Sequence, residues 1–176
     1  MNDSSTRIAA MGRLGFLLGR WRGHGWTVVE RGRVPFEQEE SVTSRLGGEI
    51  ITVEGRANDP GNRDDVRFSA FAIATYDLAT ATYRWCAYSA GAWAEVPLDV
   101  GDQTFGWGFE PVPGVLVRFD ASIAGDSWHQ VGRTSADAGT TWSQTFEMDL
   151  TRIGARADRT PGADRTPGAR DARAVT

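Results

Sequence analysis

Gly19-Arg20-Trp21-Arg22-Gly23-His24-Gly25 decides how this chain is read. The stretch follows a short apolar run, Phe16-Leu17-Leu18, and everything after it as far as Arg152 breaks into short alternating segments. A tryptophan set among glycines at the start of a strand meander fits the end of a small closed β-barrel. The indole plugs the floor, and the glycines let neighbouring backbones approach closely. Barrels of this kind fill their interior with side chains or hold one small molecule there.

Working outward, the last segment alternates most cleanly. Trp142, Gln144, Phe146, Met148, Leu150 and Arg152 fall on one pleat, and Ser143, Thr145, Glu147, Asp149 and Thr151 on the other. One face is therefore expected to be buried and the other wet. Turn-forming clusters such as Asn58-Asp59-Pro60-Gly61-Asn62 and Asp137-Ala138-Gly139 punctuate the chain. About ten strands are expected: 20–30, 35–46, 49–57, 66–76, 81–90, 92–98, 103–110, 114–123, 126–134 and 140–152. So many strands joined by short turns close on themselves to remove their edges. The expected fold is all-β, an antiparallel up-and-down barrel, with residues 6–18 as a short helix capping one end.

Residues 1–153 form the expected barrel domain. Residues 154–176 repeat Ala-Asp-Arg-Thr-Pro-Gly from Ala157 and again from Ala163, and carry too little apolar surface to offset the entropy of ordering. They are expected to be a disordered tail. The formal net charge of −4 argues against nucleic acid as a partner. All basic residues are arginine, which excludes Lys-based catalysis. Cys86 is the single cysteine and has no disulfide partner within the chain. The N-terminal apolar run is too broken for a signal-peptide core, and no segment reaches the length of a membrane span. The expectation is a cytoplasmic protein that does not touch membranes; its oligomeric state is not legible.

On strand 35–46, the pleat carrying Phe36, Val42 and Leu46 also carries Gln38 and Glu40. If that pleat faces inward, a carboxyl group enters an apolar interior and must be paired or protonated. Arg84 and Arg118 are the candidate partners. Trp85, Trp107, Phe109, Phe119, Trp142 and Phe146 are the expected aromatic lining of a cavity, with Gln144 as a further polar contact. The expected ligand is a small apolar or amphipathic molecule. Arg152, on the inward pleat of the last strand, is expected to stack on Trp21 of the first and close the barrel. No second histidine at metal spacing, no paired cysteine and no His–carboxylate motif occurs, so no metal is expected. The lack of a nucleophile elbow and of a phosphate-binding glycine loop argues against nucleophilic catalysis and phosphate binding.

Leu17-Leu18-Gly19-Arg20-Trp21-Arg22-Gly23-His24-Gly25 resembles the opening of nitrobindin and its relatives in the fatty-acid-binding-protein and lipocalin superfamily. Leu46-Gly47-Gly48, Tyr76-Asp77 and the run from Ser135 to Trp142 are similar to motifs of an uncharacterised bacterial family of lipocalin-like barrels. These resemblances span residues 16–152 and imply the barrel. The nitrobindin resemblance also implies haem, held by a histidine on a late strand. The last strand has none, and His129 on the strand before it is the nearest candidate. No cofactor is therefore expected. Two alternatives stand beside simple ligand binding: a haem protein using His129, and an isomerase or cyclase using Glu40 as general acid or base.

Overall fold

The computed structural model of the chain describes residues 3–154. Ten antiparallel strands form a closed barrel: β1 (Gly19–Val29), β2 (Gly32–Arg45), β3 (Ile50–Asp59), β4 (Asn62–Asp77), β5 (Thr82–Ser89), β6 (Ala92–Val100), β7 (Thr104–Val112), β8 (Val115–Ala124), β9 (Ser127–Ser135) and β10 (Ser143–Arg152). Each strand pairs with the next, and β1 pairs with β10 to close the ring. The alternating pattern produces this directly: Ile51, Val53, Gly55 and Ala57 fall on the inward pleat of β3, while the residues that alternate with them are at the surface or only partly buried. The expected tail lies outside the described residues from 155 onward. No described helix is long and apolar enough to cross a membrane.

The N-terminal cap is α1 (Asp3–Met11) running into a 3-10 helix (Gly12–Leu17). It begins earlier than the sequence reading placed it. The change from α to 3-10 falls at Gly12, the residue of lowest helix propensity in the segment. The cap persists because Met11, Leu14, Phe16 and Leu17 are buried against the barrel end. Each such side chain contributes about 1.5–3 kcal/mol on burial, more than a glycine costs. Polar ties fix the cap's position: Tyr83 Oη donates to the Ala10 carbonyl at 2.7 Å, and Arg7 pairs with Glu49 at 2.8 Å.

Trp21 and Arg152 close the barrel floor. Trp21 is fully buried and donates from Nε1 to the Leu17 carbonyl at 2.8 Å. Arg152 lies opposite it in the β1–β10 ladder, with its guanidinium carbon 3.8 Å from the centre of the indole. The same guanidinium donates to the carbonyls of Phe16, at 3.0 Å, and Leu18, and pairs with Asp126 at 3.0 Å. One side chain thus ties β10, β1 and the cap together. Gly23 and Gly25 are required here by close approach, because a side chain at either would collide with the β10 carbonyls of Asp149 or Glu147.

The register shifts between β3 and β4 at Ala57–Asp59 and between β7 and β8 at Phe109–Val112, and two further departures from a regular ladder shape the interior. β10 carries a bulge between Gln144 and Phe146, with Gln144 opposite Arg133 and Phe146 opposite Gly132. The extra residue, Thr145, reverses the pleat, so side chains before it point the other way. β6 and β7 pair only at Leu98, Asp99 and Val100, facing Trp107, Gly106 and Phe105. Pro97 on β6 and Pro111 on β7 lie in the portions that part, and neither can donate a ladder hydrogen bond.

Candidate functional site

The barrel encloses a cavity of about 420 Å³, within the range of small-molecule sites. It exists because of a wall of small residues. Ala70, Ala72, Ala87, Ser89, Ala92 and Ala94 line it from β4, β5 and β6. An aromatic stack lines it as well, in which Trp107 lies 5.0 Å from Trp85 and 5.1 Å from Phe119, while Phe119 meets Phe146 edge-on at 5.5 Å. The small wall was missed in the sequence reading. Its signal was present as alanines on alternate positions, but alternating alanine marks a pleat without saying that the space beside it is empty.

Into this apolar chamber the barrel places a few polar groups. Gln38 and Glu40 lie on the inward pleat of β2, one of the two registers that the sequence leaves open. Gln38 donates from Nε2 to Glu40 Oε1 at 2.7 Å. The Glu40 carboxyl lies over Gly55 on β3, where an added Cβ would fall 2.6 Å from Oε1. Gly55 thus makes the space that the carboxyl occupies. No arginine meets Glu40. Arg118 is held on the outside by Asp99 and Asp120, and Arg84 sits on the pleat opposite that of Trp85. Burial raises the Glu40 pKa from 4.5 to about 7, with the Gln38 hydrogen bond opposing the rise.

Five buried polar side-chain atoms among the described residues have no hydrogen-bond partner: Gln38 Oε1, Glu40 Oε2, Trp85 Nε1, Trp128 Nε1 and Gln130 Oε1. All five belong to residues that line this cavity. Trp128 and Gln130 were not singled out from the sequence, because nothing local showed which pleat of β9 faces in.

The structure brings together Gln38, Glu40, Trp85, Trp107, Phe119 and Phe146 around the cavity. Phe109 also lines it but is 38% exposed, at the parting of β6 and β7. Trp142 and Gln144 do not reach it. Trp142 precedes β10, is 42% exposed, and donates to the Gly139 carbonyl at 3.1 Å. Gln144 is exposed and hydrogen-bonds Glu147 at 2.7 Å. The Thr145 bulge is the cause, since unbroken alternation would have placed both beside Phe146.

Neither histidine faces the cavity. His24 and His129 are exposed on the outer face, and the ladder sets both opposite Asp149, one from each side. His129 Nδ1 lies 2.8 Å from Asp149 Oδ1, so an outward His129 offers nothing to a haem inside the barrel. His129, Glu147 and Asp149 bring one donor atom each within 4.8 Å of one another, a set that could hold a cation at the surface. The sequence reading found no metal spacing because these residues meet only through strand pairing.

The Ser135–Trp142 motif proves to be a turn. Asp137 accepts from the Ser135 hydroxyl at 2.7 Å, the Thr141 amide at 2.8 Å and the Thr141 hydroxyl at 2.7 Å. These donors hold its carboxyl down to a pKa of about 2.

No protein-family model and no curated protein sequence matches the chain. Solved structures that match it include the following two. Rv2717c from M. tuberculosis superimposes with a TM-score of 0.62 at 13% identity, covering 82% of this chain and 98% of that one. A protein of unknown function from the DUF3598 family of Nostoc punctiforme does so with a TM-score of 0.51 at 12% identity, covering 80% of this chain and 48% of that one. At these identities the likeness is one of fold alone.

Proposed function

We propose that this protein binds a small amphipathic molecule inside the barrel. The observation that carries the proposal is that every unpartnered buried polar side-chain atom among the described residues belongs to the lining of one apolar cavity. A buried polar group left unsatisfied costs about 1–3 kcal/mol. Gathering five of them in one chamber is understandable if an occupant supplies their partners. The resemblance of Leu17–Gly25 to the opening of nitrobindin and lipocalin-like barrels supports the same reading. The parting of β6 and β7 beside Phe109 is the proposed entrance.

Titration with Nile red, a neutral apolar dye, tests this. The dye should brighten and saturate at one site per chain. Ala87→Phe, which fills the small wall, should weaken it by about tenfold or more while circular dichroism still reports the barrel. Dye binding unchanged by Ala87→Phe would refute an interior site.

A second reading, in which Glu40 acts as general acid or base on the bound molecule, is favoured by its pKa of about 7. It predicts that a molecule recovered from the cavity is chemically changed on incubation with the parent protein and unchanged with Glu40→Gln. Identical recovery from both would remove this reading.

A further inference from the structure

The ionisable groups of this chain are distributed unequally between its two faces. Arginines and acids crowd the outer face in pairs such as Arg22–Glu39 and Arg133–Asp120. Among the residues lining the cavity there is one ionisable side chain, Glu40, and no arginine or histidine. Arg152 lies nearby at the floor, but its guanidinium is taken up by Trp21, two carbonyls and Asp126.

We infer that the cavity selects a ligand with an aromatic or alicyclic body and one basic nitrogen, bound as an ammonium against Glu40. This rests on the proposed function above and names its ligand class. Three of the unpartnered atoms are acceptors, Gln38 Oε1, Glu40 Oε2 and Gln130 Oε1. An ammonium offers three donors and no acceptor, which is the complementary set. The orientation of Gln38 is fixed, because its Nε2 is spent on Glu40 Oε1 and its bare carbonyl oxygen must look for a donor. A carboxylate in an apolar chamber without a cation is costly, and a cationic ligand removes that cost. The aromatic stack of Trp85, Trp107 and Phe119 presents π-faces that also favour a cation. The indole N–H groups of Trp85 and Trp128 lack acceptors, which a hydroxyl or carbonyl elsewhere on the ligand would supply. An anionic ligand finds no countercharge in the lining and meets a like charge at Glu40.

The groups flanking Glu40 add no second titration. Gln38 shares its strand, Trp21 of β1 and Gly55 of β3 are its ladder partners, and none of these ionises. With Glu40 titrating near neutrality, binding of an ammonium should weaken as the carboxylate is protonated.

The test uses three ligands of matched shape, 2-naphthaleneethylamine, 2-naphthaleneethanol and 2-naphthaleneacetate, competing with Nile red on the full chain. The parent should prefer the amine to the alcohol by about tenfold or more at pH 8, and should bind the acid most weakly. The amine-to-alcohol ratio should fall about tenfold between pH 8 and pH 6. In Glu40→Gln the ratio should be close to one at both pH values, each competitor being read against the dye constant of that variant. Equal binding of amine and alcohol by the parent, or an amine preference that survives Glu40→Gln, would overturn the ligand class while leaving an interior site intact. The parent's pH series decides the matter if the variant fails to fold. Failure of Nile red itself to bind would overturn the cavity reading and this inference together.

Discussion

Glu40 is the residue at which stability and the proposed recognition are opposed. Its folded pKa of about 7 lies above the ordinary 4.5, so the native state holds more protons than the unfolded chain between those values. Stability from this group is therefore present at low pH and is lost as pH rises through that window, by about 3 kcal/mol in all. Glu40→Gln should match the parent near pH 4 and exceed it by about 2–3 kcal/mol at pH 8. Urea unfolding at the two pH values measures this, and a constant difference would show that the carboxyl is not desolvated. Arg152 is the opposite case, a charge wholly accounted for: its side chain is only 6% exposed and every contact is structural. Arg152→Ala should cost about 2–3 kcal/mol through lost stacking and two unpaired carbonyls. Arg152→Lys should recover little, because an ammonium lacks the planar fork. The Trp21–Arg152 pairing was legible in the sequence, because both residues lie at the ends of strands that a closed meander must bring together.

At the scale of elements, short-range alternation marks the inward pleat of β3, leaves the facing of β2 open, and fails on β10. The Thr145 bulge left no local mark, since Trp142, Gln144 and Phe146 read as one unbroken pleat. A bulge is decided by what lies across the ladder, here Arg133 and Gly132, and a single strand does not contain that information. The turn before β10 was legible as a turn, and its chemistry is structural. Asp137 has a depressed pKa of about 2, so its contribution is present above the ordinary 3.8 and lost as pH falls toward 2. Asp137→Asn should lower the Tm at pH 7, and the gap from the parent should close as pH approaches 2. A gap of the same size at both pH values would mean that the carboxylate charge does not staple the turn. The meeting of both histidines at Asp149 was equally invisible from the sequence, for the same non-local reason.

For the whole molecule, the barrel has a sealed end and a yielding side. The sealed end is built from the cap, Trp21 and Arg152. The yielding side is the parting of β6 from β7, where two prolines interrupt donors and the ladder is shortest. In hydrogen exchange, the amides of residues 92–96, of residues 108–110 and of Val112 should open faster than those of β1, β9 and β10, and should slow when the cavity is filled. Uniform protection around the ring, unchanged by ligand, would place the entrance elsewhere. The central claim is that the chamber lined by the alanine wall and the aromatic stack is built to be occupied. Native mass spectrometry of the protein purified from its own cells tests it most directly, comparing the parent with Ala87→Phe. The 19.2 kDa parent should carry an added mass of a few hundred daltons, roughly what a site of this size holds, and Ala87→Phe should not carry it. A parent that flies at its bare chain mass, or an adduct equally present on the filled variant, would contradict it.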